Sequence, residues 1–180
     1  MFEEDKNNDR SFIISDEERV LIDVHPRAGR LTVPEGVRVS SLYVEHWDVR
    51  VDGSLGELSG TTDLLCGEGE VETISNANIG KIMLSLEVDT IKESTVGRIN
   101  ECWVDTINSS SIGVVCNASI GDMLDSTTRC VGGTASIYKA TNSRFMSIIG
   151  RAFVEHLEDR SSIGQLTGSA TVKKWTRRRL

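Results

Sequence analysis

The residues best equipped for chemistry are the histidines and their acidic neighbours. His46 lies in SLYVEHWD (41–48) close to Glu45 and Asp48, and His156 lies in RAFVEHLED (151–159) close to Glu155 and Glu158. An imidazole beside a carboxylate is an acid/base couple, because the carboxylate fixes the tautomer and stabilises the charged ring. Adjacent residues of an extended strand point to opposite faces, however, so Glu45 should diverge from His46. The third histidine, His25, precedes Pro26 in a turn-like stretch. No HExxH, GxSxG or GxxxxGK[ST] motif occurs, and Cys66, Cys102, Cys116 and Cys130 contain no CxxC pair. The sequence therefore predicts no catalytic residue, no metal and no cofactor, and the thiols read as reduced and partly buried.

Charge points elsewhere. Residues 1–25 hold Glu3, Glu4, Asp5, Asp9, Asp16, Glu17, Glu18 and Asp23 against three bases, while the last eight residues, KKWTRRRL, hold only bases among their charged groups. Lys173, Lys174, Arg177, Arg178 and Arg179 are thus the candidate partner-contact residues, fitted to meet phosphates, head groups or an acidic protein surface. The N-terminal arm supplies such a surface, so head-to-tail association of copies is expected. The stretch between the ends, 26–172, is itself acidic, with the chain as a whole at −7. No apolar run approaches the roughly 20 residues that span a bilayer, and the acidic start MFEEDKNNDR does not resemble a secretory signal, so synthesis in the cytoplasm is expected.

The elements that must position these groups are legible as a repeat. Only 5% of the residues are aromatic, so the interior must be filled by Val, Ile, Leu and small side chains. From residue 69 a small residue recurs every eight or nine positions: Gly69, Ala77, Leu86, Ser94, Cys102, Ser110, and onward to Ala170, with Leu86 the one large occupant. Two residues after each comes a mostly β-branched one, as in Val71, Ile79, Val96 and Ile112, and three beyond that another apolar one, as in Ile74, Ile82, Ile99 and Val115. Helical spacing would scatter this set around a cylinder, whereas strands separated by turns gather it on one side. Glycine in IGKI (79–82), VGRI (96–99) and IGVV (112–115) is expected to supply the bend inside each unit. From Ser94 the small position alternates between Ser (Ser94, Ser110, Ser126, Ser143, Ser161) and Cys or Ala, so the full unit is 16–18 residues.

Such a unit predicts one coil of an all-β parallel solenoid in which like residues stack, with the serines turned inward or lining a corner and bonded along the stack. Three regions are expected: an acidic arm and N-terminal cap (1–36), the solenoid (37–175, most regular from 69), and a basic tail (176–180). Residues 50–68 fit the template only at Leu55 and Leu58, which predicts an irregular coil or bulge. On the same template, Val44 and Trp47 match Val154 and Leu157, so His46 and His156 are expected in one equivalent outward slot, alike through repetition and not through catalysis. Trp175 is placed to plug the last coil.

Units such as SIGVVCNASIGDML and SIGQLTGSATVKKW resemble the short-coil parallel β-solenoids that recur in phage and bacterial structural proteins. That resemblance implies a non-enzymatic, rigid component of a larger assembly, such as a phage tail, baseplate or capsid-associated protein carried in the virion. Its partners would be other structural proteins or copies of itself, with no small-molecule substrate and no nucleic acid. Two other readings stand beside it: an acidic inhibitor or adaptor that imitates nucleic acid, and a solenoid enzyme like the hexapeptide acyltransferases. The spacing of the latter is six, not eight or nine, and they would require a histidine and a trimer.

Overall fold

A computed structural model describes residues 29–176, together with the backbone of three short strands, Phe2–Glu4, Ser11–Ile14 and Val20–Leu21. Among these residues there is no helix, and the strands form one continuous sheet wound into a β-solenoid of about nine turns. From Glu87 onward each strand pairs in parallel with the strand two further along, so that residues 16 to 18 apart stand side by side, and the long strands Ser54–Cys66 and Glu70–Met83 each span a corner and pair directly with one another. Val96 lies over Ile79 and under Ile112, and Ile99 over Ile82 and under Val115, as the repeat requires. At ~4.8 Å per rung, the nine rows from Val39 to Val172 make a rod roughly 40 Å long.

Two strands complete a turn, giving the rod two broad faces. The front face carries Glu87–Lys92, Trp103–Asn108, Ser119–Leu124, Ser136–Thr141, Phe153–Glu158 and Thr171–Thr176 in successive rungs. The back face carries Thr95–Asn100, Ser111–Cys116, Thr127–Gly132, Arg144–Ile148 and Ser162–Leu166. In one turn the inward residues are Val96, Ile99, Cys102, Val104, Ile107 and Ser110, all buried. Each face thus contributes two and each corner one, which is the origin of the steps of three, three and two. Along the central turns the inward columns are continuous, so a side chain there is covered above and below by its counterparts; burial of this kind stabilises by about 1.5–3 kcal/mol per large aliphatic side chain. Volumes compensate along the columns: Thr128 lies under Phe145, and Ala140 lies between Met123 and Leu157.

The steps of three require two consecutive residues to face outward in mid-strand, as Gly97 and Arg98 do, so each strand is kinked without being interrupted. Glycine stands at that kink, but its role differs from the expected one. A Cβ on Gly97 would lie 2.5 Å from the carbonyl oxygen of Gly80, and one on Gly113 would press into that of Gly97, so the constraint is close approach of successive rungs. The true turns are the corners, and they are built mostly without glycine. Glu93, Glu101, Ser109, Asn117, Asp125, Asn142 and Asp159 all adopt φ near +50°, each at a corner.

Corners also absorb changes in coil length. Where Asn117–Ala118 is followed one turn later by the longer corner Gly133–Thr134–Ala135, the Asn117 Oδ1 accepts a hydrogen bond from the new Thr134 N–H at 3.1 Å. Asn142 Oδ1 likewise accepts from Arg160 N–H at 3.4 Å, where the opposite corner lengthens. The irregularity expected between 50 and 68 appears as a register shift between Leu58 and Gly60 in the long strand Ser54–Cys66, while Leu55 and Leu58 remain in the buried columns. Before residue 37, Arg30–Val33 already pairs in parallel with Asp48–Val51, and Ser11–Ile14 pairs in parallel with Arg30–Val33. Phe2–Glu4 pairs antiparallel with Ser11–Ile14, the one antiparallel ladder among the described strands.

Candidate functional site

The two histidines do not share a slot. His156 sits in mid-strand between the buried Val154 and Leu157, beside Lys139 and Lys174 on neighbouring rungs. His46 sits at a corner with φ +60°, exposed, its N–H bonded to the Thr61 carbonyl at 2.8 Å. Val44 and Trp47 are both buried, but the three-residue step between them crosses a corner, whereas Val154 to Leu157 crosses a mid-strand kink. Both devices produce the same spacing from different geometry, and this is why the sequence echo misleads. Val154 is stacked in the column that begins at Val39. His25 lies outside the described residues. His156 Nε2 is 3.9 Å from Glu155, and the ring meets Tyr138 edge-on at 5.5 Å.

The serine row is internal. Ser94, Ser110, Ser126, Ser143 and Ser161 are all buried at one corner. Each hydroxyl oxygen accepts the backbone N–H of its predecessor one turn back: Ala77 to Ser94 at 3.1 Å, Ser94 to Ser110 at 3.2 Å, Ser110 to Ser126 at 3.1 Å, Ser126 to Ser143 at 3.3 Å and Ser143 to Ser161 at 3.0 Å. The hydroxyls of Ser94, Ser110, Ser126 and Ser143 in turn donate to the carbonyl two residues earlier, at 2.6–3.0 Å. Corner amides turned away from the strand ladder would otherwise be buried without partners, so the row carries out a structural task with both its donor and its acceptor. These oxygens are committed and shielded, the opposite of an exposed nucleophile.

The four cysteines are free thiols. Burial pushes the Cys102 thiol up to about 11, and burial also raises that of Cys66. A thiol held protonated is inert, which suits packing and not catalysis. Among the described residues, no group of three or more His, Cys, Asp and Glu side chains is placed to hold a metal ion. No described helix is long and apolar enough to cross a membrane.

Of the candidate contact residues, Lys173 and Lys174 stand on the last rung, Thr171–Thr176, and are exposed. Lys173 Nζ donates to Glu155 Oε1 at 2.8 Å. That hydrogen bond holds the Glu155 carboxyl below the usual carboxylate range and lifts the Lys173 ammonium above its ordinary value. Arg177, Arg178 and Arg179 lie outside the described residues. Trp175 stacks over Leu157 but is 46% exposed, so it extends the column without closing it, contrary to the expected plug.

The sequence reading missed the outward side of the front face. A hollow of about 390 Å³ lies over Ser119, Gly121 and Ser136, walled by Trp103, Tyr138 and Phe153 and flanked by Asp105 and Glu155. Trp103 and Tyr138 are each 56% exposed, in a chain where only 5% of residues are aromatic. Their positions in the repeat, one before and one after an inward residue, were the signal available. Comparison with protein-family models, with curated proteins and with solved structures returned no match.

Proposed function

We propose that the protein is a non-catalytic structural component, a rigid rod incorporated into a larger assembly such as a phage particle, which meets its neighbour through the end of the stack. The exposure of the last described turn carries this reading. Leu166 and Trp175 are 47% and 46% exposed, although Ile148 and Leu157 directly beneath them are fully buried. Ser162–Leu166 and Thr171–Thr176 pair on one side only among the described strands. A strand edge with no partner among the described strands, beside half-exposed apolar side chains, can take a further rung from another polypeptide. The acidic N-terminal arm and the basic KKWTRRRL give the two ends of the chain opposite charge, which favours head-to-tail contact between copies. A non-catalytic role is supported by the commitment of the buried hydroxyls to the corner ladder and by the separation of the two histidines.

Sedimentation velocity across a concentration series tests the reading. Association is expected at low salt, and Trp175→Glu combined with Leu166→Glu should weaken it by roughly tenfold or more, since each places a charge in the apolar contact. A wild-type protein that stays monomeric at every concentration and salt would refute it. Whether the assembly is a virion is settled by imaging the protein within its native particle.

A further inference from the structure

From Glu70 to Asp122 the front face is predominantly acidic, while the back strands from Lys81 to Arg144 carry only bases, and we propose that these two surfaces form a lateral interface between copies of this chain, the front face of one seated on the back face of the next. This rests on the reading of the protein as an assembly component but concerns its sides, not its end. On the front face, Glu70, Glu72, Glu87, Asp89, Asp105 and Asp122 project outward from four consecutive rungs, on which Lys92 is the one base. Of these, only Glu72 has an ion-pair partner among the described residues, Arg38 at 2.7 Å. On the back face, Lys81, Arg98, Arg129 and Arg144 are exposed and have no ion-pair partner among the described residues. The back strands 78–83, 95–100, 127–132 and 144–148 that carry them, and the uncharged 111–116 between them, contain no acid; Asp63 stands one rung before Lys81.

Unpaired charges of one sign repel along a face, because successive rungs stand only ~4.8 Å apart, well inside a Debye length of about 8 Å at physiological salt. A partner carrying the opposite sign relieves that repulsion, and the back face of a second copy offers it at the same pitch. Lys81 and Arg98 are adjacent in register, as are Glu70 with Glu87 and Glu72 with Asp89, so two rods laid side by side can bring base to acid on two successive rungs, with Arg129 and Arg144 further along the same face. Shape agrees with charge. Gly80, Gly97 and Gly113 stack on successive rungs and leave a bare trough beside Lys81 and Arg98, while Trp103 stands 56% exposed as the ridge of the front face. A face six residues wide and about five rungs tall covers roughly 20 by 25 Å, or on the order of 1,000 Å² buried over both partners, the lower limit for a specific contact. Each contact is therefore weak and salt-sensitive, and because it joins unlike faces it propagates into a sheet or ring of rods.

Two charge-reversed proteins test this. One carries Arg98→Glu and Arg129→Glu on the back face, the other Glu87→Lys and Asp89→Lys on the front; all four positions are exposed, and circular dichroism checks that each variant is folded. In sedimentation velocity at low salt, each alone should associate at least tenfold more weakly than wild type. An equimolar mixture should associate again, because the acidic back of the first matches the basic front of the second. If either variant does not fold, the corresponding Gln variants, neutral instead of reversed, should still weaken association and lower its salt dependence. Association unchanged by reversal, a mixture that stays monomeric, or a wild type that never associates at low salt would overturn the proposal. The end variant Trp175→Glu with Leu166→Glu leaves the lateral contact intact, so loss in that variant alone implicates the end, and loss in the reversed pair alone implicates the faces.

Discussion

Ser126 illustrates how much one small side chain does inside the rod. Its oxygen accepts the Ser110 N–H at 3.1 Å, and its proton goes to the Leu124 carbonyl at 2.6 Å. Ser126→Ala removes one methyl-sized polar group, yet leaves a buried amide and a carbonyl without partners. A loss of about 1–3 kcal/mol is expected, read as a lower urea midpoint. At the opposite corner, Cys102 stacks with residues that are mostly alanine, and its elevated thiol pKa links folding to pH. The folded thiol titrates near 11 against an ordinary 9.0, so its contribution is intact below pH 9 and is lost as pH rises from there towards 11. Cys102→Ala should therefore flatten the alkaline side of the stability profile, measured as the midpoint of thermal unfolding between pH 8 and pH 11. The inward placement of these two residues could be read from their period. Their hydrogen bonds could not, because a small residue at a repeat position does not reveal whether its amide faces a neighbouring strand or turns a corner.

At the scale of the strand and its corner, the left-handed residues are the costly feature. Among the described residues, eleven non-glycine ones have positive φ, and for an L-residue such a conformation costs roughly 1–2 kcal/mol unless the side chain is Asn or Asp. Asn76, Asn117, Asp125, Asn142 and Asp159 suit the position; Glu93 and Glu101 do not. Glu101→Asn should raise stability by about 0.5–1 kcal/mol, and Asn117→Glu should lower it by more, since Asn117 also holds the Thr134 amide. Chemical denaturation of both variants checks the sign. The steps of three, three and two were visible in the sequence, but a step of three arises from a kink as readily as from a corner. Only the tell-tale Asn or Asp before the small residue separates the two, and Glu93, Glu101, Ser109 and His46 lack that mark. This ambiguity is what paired His46 with His156.

For the whole molecule, the stacked columns make stability a property of neighbours, each turn being held by the one above and the one below. The last described turn has a single neighbour among the described strands, and its inward residues Leu166 and Trp175 are about half exposed. Amide exchange should accordingly be fastest in Ser162–Leu166 and Thr171–Thr176 and slowest in the central rungs from Glu87 to Leu124, a gradient measurable by mass spectrometry. Uniform protection along the rod would mean that the end is covered in solution. The solenoid was legible because a periodic interior forces a periodic sequence. The outward faces were not, because nothing about the interior constrains them. The division of charge between front and back emerges only once the winding assigns alternate strands to opposite sides.

The corner that lengthens at Gly133–Thr134 stays long at Gly150–Arg151 and Gly168–Ser169, and the columns on either side of it continue undisturbed. A scaffold that accommodates an added residue there, with no change to its interior, has in effect marked its own splice points. A short foreign loop inserted at 134, 151 or 169 would be displayed at a known height, with neighbouring loops about 5 Å apart, and an array of ligands could be ruled along the rod like marks on a gauge.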